Sequence, residues 1–216
     1  MVSFFGGKEK SGGGTASNER VSRHSSGWGQ ILQRMRGEEP LRVLDIGPTS
    51  SGNINFITAL GHSIYLANLV EDAAKRDWIL PSEDGGPGRF DVEKFLAAHL
   101  HFSGRGFDVV LFWDTADYLP EELLTPVLER LYAVMAPEGQ MLAMFHAPPA
   151  PGKPPLKSEF NRYHLTEGSA VEVQRAGDYP LLHSYTNRQI EGLLAAFKGF
   201  HFFLGKDNVR EVVVTR

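Results

Sequence analysis

The chain of 216 residues contains no cysteine and no long apolar run. The lack of cysteine excludes disulfide bonds, a thiolate zinc site and a cysteine nucleophile. No apolar run approaches the roughly 20 residues of a transmembrane helix, and the N-terminus has no apolar stretch of signal-peptide length, so we expect a cytoplasmic protein without membrane contact. The formal net charge of −4 also argues against a mainly electrostatic nucleic-acid binder, and we expect no nucleic-acid partner.

Several motifs that define large enzyme classes are absent as well. No G-x-G-x-x-G follows the first apolar strand, which counts against a nicotinamide-dependent enzyme, and there is no phosphate-binding G-x-x-x-x-G-K-[ST]. No G-x-S-x-G nucleophile elbow occurs either. His99 and His101 are two residues apart and would diverge on a helix, so no metal site is expected.

The residues that are present divide the chain into a tail and a body. Residues 1–25 are rich in Gly, Ser, Lys and Glu, a composition that cannot bury enough apolar surface to offset its ordering entropy. We therefore predict a flexible tail that contributes nothing to the core. Residues 26–216 are predicted to form one domain, and apolar residues at helical spacing from Trp28 to Met35 predict its first helix.

Within the body, apolar strand patterns alternate with helical patterns, which predicts a mostly parallel sheet with helices on both faces. The predicted strands of this part lie at residues 41–47, 63–69, 107–114 and 140–147. Two final strands, 200–207 and 209–216, are separated only by Asn208. A tight turn suffices to connect antiparallel strands but not parallel ones, so this last pair is expected to be antiparallel.

The segment VLDIGPTSSGN (43–53) is the first candidate for a ligand loop. Asp45 and Gly47 follow a buried strand, and small polar residues come next. In doubly wound sheets, ligands lie beyond the carboxyl ends of the strands, where small residues let the backbone approach them and helix N-termini offer free N–H groups. The alternative, a tight turn with a capping aspartate, remains open.

Taken with GHSIYLANL (61–69), FDVVLFWDTADYL (107–119) and APEGQMLAMFH (136–146), this loop resembles the class I S-adenosylmethionine-dependent methyltransferases. The resemblance covers about residues 40–216. It implies a Rossmann-like, doubly wound, mostly parallel seven-stranded sheet whose last strand is antiparallel. It also implies S-adenosylmethionine as the cofactor and, as the methyl acceptor, a small molecule.

The resemblance further implies which residues hold the cofactor. Asp45 and Gly47 match the family's Asp-x-Gly, and hydroxyl residues follow where the family has glycines. Asn68 stands where an acid usually binds the ribose hydroxyls, with Glu71 and Asp72 close behind as substitutes or helix caps. The full set of cofactor-binding candidates is Asp45, Gly47, Pro48, Thr49, Ser50, Ser51, Asn68, Leu69, Asp91, Trp113 and Asp114.

Asp91 is placed near the adenine by the resemblance, with helix N-capping as its rival role. Trp113 is expected to stack on the adenine or to line the substrate pocket, and packing in the core is its alternative role. His146 ends a strand on the expected substrate side and has a pKa suited to a general base, so it is the catalytic candidate.

An insertion at about 148–180 is predicted to cover the substrate. Its prolines make an extended connector, and RYHLTE (162–167) and VEVQRA (171–176) are expected to pair as a hairpin that places Tyr163 and His164 above the pocket. The alternative function is a catalytically inactive cofactor-binding or interaction protein on the same scaffold, because fold does not guarantee function.

Overall fold

A computed structural model of the chain describes residues 19–37, 39–81, 86, 88–104, 106–150, 152, 159–205 and 207–216. The helices are α1 (Ser26–Met35), α2 (Ser51–Ala59), α3 (Leu69–Ala73), α4 (Val92–His99), α5 (Glu121–Val134) and α6 (Asn187–Leu193). The strands are β1 (Val21–His24), β2 (Arg42–Ile46), β3 (Ser63–Ala67), β4 (Ile79–Leu80), β5 (Arg89–Phe90), β6 (Phe107–Trp113), β7 (Met135–His146), β8 (Phe160–Leu165), β9 (Ala170–Gly177), β10 (Lys198–Leu204) and β11 (Val209–Thr215).

The main sheet confirms the predicted α/β architecture. Its strand order is β10-β11-β7-β6-β2-β3, and the pairs β2–β3, β2–β6 and β6–β7 are parallel. The last strand, β11, runs antiparallel to both of its neighbours, β7 and β10, as expected. Alternate side chains of a strand point to opposite faces. Accordingly, Val110 and Phe112 of β6 pack on the side of α3, α4, α5 and α6, and Val109 and Leu111 pack on the side of α1 and α2.

The expected count of seven strands is wrong for the described part of the chain, where the main sheet has six. The strands described between α3 and α4 are β4 and β5, which pair with each other instead of extending the edge at β3. Trp78 and Phe90 flank this short ribbon and pack edge-on against Phe95 of α4. The aromatic contacts hold the segment against α4, and two-residue strands are too short to build a sheet edge.

A second, three-stranded sheet has the order β1-β9-β8. Its first strand corrects the boundary of the predicted tail, because residues 21–24 form β1, with Val21 opposite Val173 of β9. Local composition did not reveal this strand, since its pairing partner lies about 150 residues further along the chain. The rest of the tail prediction, residues 1–18, lies outside the described residues. Within the described ranges, no helix is long and apolar enough to cross a membrane.

An ion pair joins β1 to the main sheet. Glu211 of β11 is buried, and its carboxylate accepts hydrogen bonds from the guanidinium of Arg23 and from the backbone N–H of Gly27 (2.7 Å). Arg23 Nε also donates to Asp207 at 2.6 Å. A buried carboxylate is tolerated only with such partners, so Arg23 compensates the charge of Glu211.

We expect Arg23→Ala to lower the free energy of unfolding by about 3–5 kcal/mol, since it leaves a buried charge uncompensated. Arg20→Ala is the matched control, because Arg20 pairs with Glu172 while both side chains remain largely exposed. Such a pair contributes about 0–1 kcal/mol. Urea denaturation of both variants measures the difference, and equal small losses would show that β1 is not tied to the core in this way.

Candidate functional site

A cleft of about 830 Å³ opens at the carboxyl ends of β2 and β3. One part of its wall is the loop after β2, with Gly47, Pro48 and Thr49. The end of β3 and the start of α3 form another part. The end of α4 and the β8–β9 hairpin complete the wall. The cleft therefore lies where doubly wound sheets bind ligands.

Asp45 lies beneath the loop and not in the cleft wall. It is 1% exposed and accepts hydrogen bonds from Thr49 Oγ1 at 2.7 Å and Trp113 Nε1 at 2.8 Å. Burial raises the pKa of Asp45, and these hydrogen bonds oppose the shift. Gly47 has a φ of +145°, and a Cβ there would meet the Trp113 ring at 3.6 Å. Asp45 thus organises the loop whose backbone faces the cleft.

Ser50 and Ser51 begin helix α2 and are absent from the cleft wall as described. Ser50 is the N-cap, whose hydroxyl accepts from the N–H of Asn53 at 3.2 Å and contacts His164 Nδ1 at 3.1 Å. Ser51 is the first helical residue and is exposed. Cofactor contact was expected for both residues, whereas their described contacts are those of a helix start.

Asn68 follows β3 and lines the cleft together with Glu71. Asn68 Nδ2 donates to Glu71 Oε2 at 2.6 Å, and Asn68 Oδ1 is buried without a hydrogen-bond partner among the described residues. The amide therefore orients the Glu71 carboxylate in the wall of the cleft. Leu69, the next candidate, is fully buried in the core beneath α3.

Asp91 is the N-cap of α4, where its carboxylate accepts from the N–H of Lys94 at 3.1 Å. It lines a separate cavity beside Phe90 and not this cleft. The opposite end of α4 reaches the cleft instead, through Ala98 and His99. Of the two roles considered for Asp91, the described contact is the capping one.

Trp113 and Asp114 end β6 in buried positions. The Trp113 indole stacks on the Tyr163 ring, with centroids 4.7 Å apart and planes at 9°. Tyr163 in turn donates its hydroxyl to Asp114 Oδ2 at 2.9 Å. Burial, helped by the negative charge of Asp117, raises the pKa of Asp114 to about 7. Trp113 thus packs against the hairpin, and neither residue is part of the described cleft wall.

His146 forms a close pair with Asp117. Its Nδ1 lies 2.5 Å from Asp117 Oδ2, and its backbone N–H donates to the same oxygen at 2.8 Å. Burial disfavours the imidazolium, but the hydrogen bond and charge of Asp117 outweigh it and raise the pKa of His146. Burial also raises the pKa of Asp117. Within the described wall of the cleft, neither side chain takes part.

The hairpin expected from 162–176 is present, because β8 and β9 pair antiparallel with Tyr163 opposite Val173. The hairpin is also packed into the fold, beyond the role of a cover over the substrate. Tyr163 is buried against the sheet, and Asn53 of α2 donates to its carbonyl at 2.8 Å while accepting from the N–H of Leu165 at 3.0 Å. Asn53 went unnoticed in the sequence because a lone helical asparagine carries no pattern that indicates a partner 110 residues away.

Comparison with known proteins identifies the fold. A scan against protein-family models gave no match, and a search of curated proteins gave none. Among solved structures, a SAM-dependent methyltransferase from Methanosarcina mazei is 16% identical, with 86% of this chain and 96% of that chain covered and a TM-score of 0.51. An amino pentose methyltransferase from Micromonospora echinaspora is 14% identical, with 88% and 91% covered and a TM-score of 0.44. At this identity, the first likeness establishes a methyltransferase-type fold.

The raised pKa of Asp114 predicts a pH-dependent stability. The unfolded chain loses this proton near pH 3.8, whereas the folded protein keeps it to about pH 7. Between these values the folded state binds more protons than the unfolded state, so the free energy of unfolding falls as the pH rises. The total fall is at most about 1.4 kcal/mol for each unit by which the two pKa values differ. Asp114→Asn keeps an acceptor for Tyr163 but does not titrate. The variant should therefore gain stability relative to the parent between pH 4 and pH 7. Urea titrations at several pH values measure the free energy of unfolding of both proteins. An equal dependence on pH in the parent and the variant would contradict this assignment.

Proposed function

We propose that the chain binds S-adenosylmethionine in the cleft and transfers its methyl group to a small-molecule acceptor. The observation that carries the proposal is the Glu71 carboxylate, held by Asn68 at the end of β3 in the wall of a cleft on a methyltransferase-type fold. When bound, the cofactor supplies an electrophilic methyl group on a sulfonium. The chain's own part is to bind, align and exclude water.

The residues at the end of β3 suit a ribose. A carboxylate accepts charge-assisted hydrogen bonds from two neighbouring hydroxyls, and the family places its acid at this strand end. Here Glu71 has that role, three positions after Asn68. Asn68 Oδ1 is buried without a partner in the described structure, so the amide acts on the cleft through its Nδ2 bond to Glu71. Asn68 is thus a positioning residue for Glu71.

The other walls suit the remainder of the cofactor. Ala98 and His99 offer an apolar surface and a ring to a flat base. The backbone of Gly47, Pro48 and Thr49 forms the wall over β2, where the resemblance places the methionine part. Asp45 supports this loop from below through Thr49, so its contribution is to the loop's conformation.

A second function, ligand binding without transfer, is favoured by the position of His146. A general base must lie within hydrogen-bond reach of the proton that it removes. His146 is bonded to Asp117 and is outside the described cleft wall. A protein that binds the cofactor and senses it or presents it to a partner would need no such base.

We expect Glu71→Gln to weaken binding of S-adenosylhomocysteine by about 10- to 100-fold, because charged hydrogen bonds contribute about 1.5–3 kcal/mol. Isothermal titration calorimetry measures the change. Glu129→Gln, an exposed change on α5 away from the cleft, is the matched control and should bind as the parent does. NAD should give no heat with either protein. An unchanged affinity in folded Glu71→Gln would remove the ribose assignment.

Asn68→Asp should also weaken binding, although it restores the acid that the family has at this position. Asn68 Nδ2 lies 2.6 Å from Glu71 Oε2, so an aspartate there would bring two carboxylates together and disfavour their ionised forms. The loss should lessen as the pH falls and one carboxyl is protonated. Titrations at pH 6 and pH 8 measure it, and tighter binding by the variant would show that Asn68 itself faces the ribose.

Turnover separates the two functions. Transfer of methyl groups to members of a panel of small hydroxyl and amine compounds would support the enzyme, and His146→Gln should then reduce turnover of hydroxyl acceptors by about 100-fold or more. Its affinity for S-adenosylhomocysteine should stay within about twofold, since His146 is not in the described wall. Tight cofactor binding with no transfer to any compound would favour the binding protein.

A further inference from the structure

Arg162 is the one lysine or arginine in the described wall of the cleft. It belongs to β8 and reaches the loop after β2, where its Nε donates to the carbonyl of Pro48 at 3.2 Å. This hydrogen bond places the guanidinium beside the backbone of Gly47 and Thr49. A positive charge therefore lies over β2, while the carboxylate of Glu71 lies over β3.

The acids of the cleft wall are engaged with other groups. Asp72 accepts from Lys75 and lies 3.2 Å from His99 Nδ1, and Asp178 pairs with Arg175. Within the described ranges, Arg162 is in no ion pair, and Pro48 is its hydrogen-bond partner. A guanidinium has five N–H donors, and the Pro48 bond uses one. The others can bind an anionic group in the two-bonded geometry that suits a carboxylate.

The hairpin holds Arg162 in place from both sides. Phe160 and Tyr163 of the same strand are buried, and Asn53 bonds to the backbone at Tyr163 and Leu165. The backbone is therefore anchored by a hydrogen bond at Tyr163, the residue next to Arg162. A donor that is already oriented loses less entropy when a ligand binds.

We propose that Arg162 binds the carboxylate at the amino-acid end of the ligand, so that the hairpin is part of the cofactor site and not only a cover for the acceptor. The ligand class is a nucleoside that carries an α-amino-acid group: hydroxyls meet Glu71, and the carboxylate meets Arg162. This inference rests on the proposed function, because S-adenosylmethionine is the ligand of this class that the fold suggests. It also changes the expectation from the sequence, since loss of the hairpin should impair cofactor binding as well as turnover.

The test compares two ligands that differ only at the amino-acid end. S-Adenosylhomocysteine carries the carboxylate, and 5′-deoxy-5′-(methylthio)adenosine keeps the thioether nucleoside without it. Arg162→Gln should bind S-adenosylhomocysteine about 10- to 100-fold more weakly and bind the truncated nucleoside as the parent does. Arg162→Lys keeps the charge but not the paired donors, and should show an intermediate loss. Arg188→Gln, an exposed change on α6, is the control and should alter neither affinity.

The possible outcomes separate a failure of the role of Arg162 from a failure of the proposed function. Equal affinity of the parent and a folded Arg162→Gln for S-adenosylhomocysteine would overturn the role of Arg162 and leave the proposed function standing. Equal weakening of both ligands would overturn it as well, because the effect would then come from the shape of the cleft. If Arg162→Gln does not fold, the affinities of Arg162→Lys for the same two ligands are compared with those of the parent in its place. If the parent protein binds neither ligand, the proposed function fails and the inference fails with it.

Discussion

The buried carboxylate of Asp45 is the constraint on which the rest of the site depends. A carboxylate that is 1% exposed must be supplied with hydrogen-bond donors from the protein. Two of its donors come from different elements, Thr49 in the loop after β2 and Trp113 at the end of β6. Satisfying one buried acid therefore fixes the loop and the end of the neighbouring strand relative to each other.

Trp113 extends this constraint to the hairpin. Its φ of +47° is a backbone conformation that residues with large side chains rarely adopt. The strain costs about 1–3 kcal/mol, which contacts with the surrounding structure must offset. The bond to Asp45 and the stack on Tyr163 hold the indole in that position. Tyr163 then reaches Asp114, and Arg162 of the same strand reaches back to Pro48. The loop after β2 and the hairpin are thus one connected unit.

Much of the fold could be predicted from the sequence because its signals are local. The continuous apolar run of β6, the helical spacing of α1 and the tight connection between β10 and β11 each determine their own structure. The hairpin was also foreseen from two short β-type segments. Strand β1 was not, because four residues of mixed polarity become a strand only when β9 pairs with them. The main sheet has six strands in the described part of the chain, where Trp78 and Phe90 pack against α4 instead of extending the sheet.

The candidate site was predictable only in part, for the same physical reason. Gly47, Pro48 and Thr49 were expected at a ligand loop from the strand-end rule and Asn68 from the family resemblance, and all four line the cleft. Leu69 and Asp91 were placed near a ligand, but burial and a cap hydrogen bond account for them. Arg162 was assigned to a cover, whereas its contact with Pro48 spans 114 residues. No local pattern reports such a contact.

The site therefore has two halves with different chemistry. Over β2 and β3 lies an open cleft with Glu71 and Arg162 in its wall, where a ligand can bind while these side chains keep their described positions. Beyond the end of β6 lies a buried cluster of Asp114, Asp117 and His146, in which Tyr163 donates a hydrogen bond to Asp114. Under the proposed function, an acceptor that is nucleophilic without losing a proton needs only the first half, since proximity and alignment lower the barrier to transfer. An acceptor that must lose a proton needs a base as well, whereas the His146 imidazole is hydrogen-bonded to Asp117 and lies outside the described wall of the cleft.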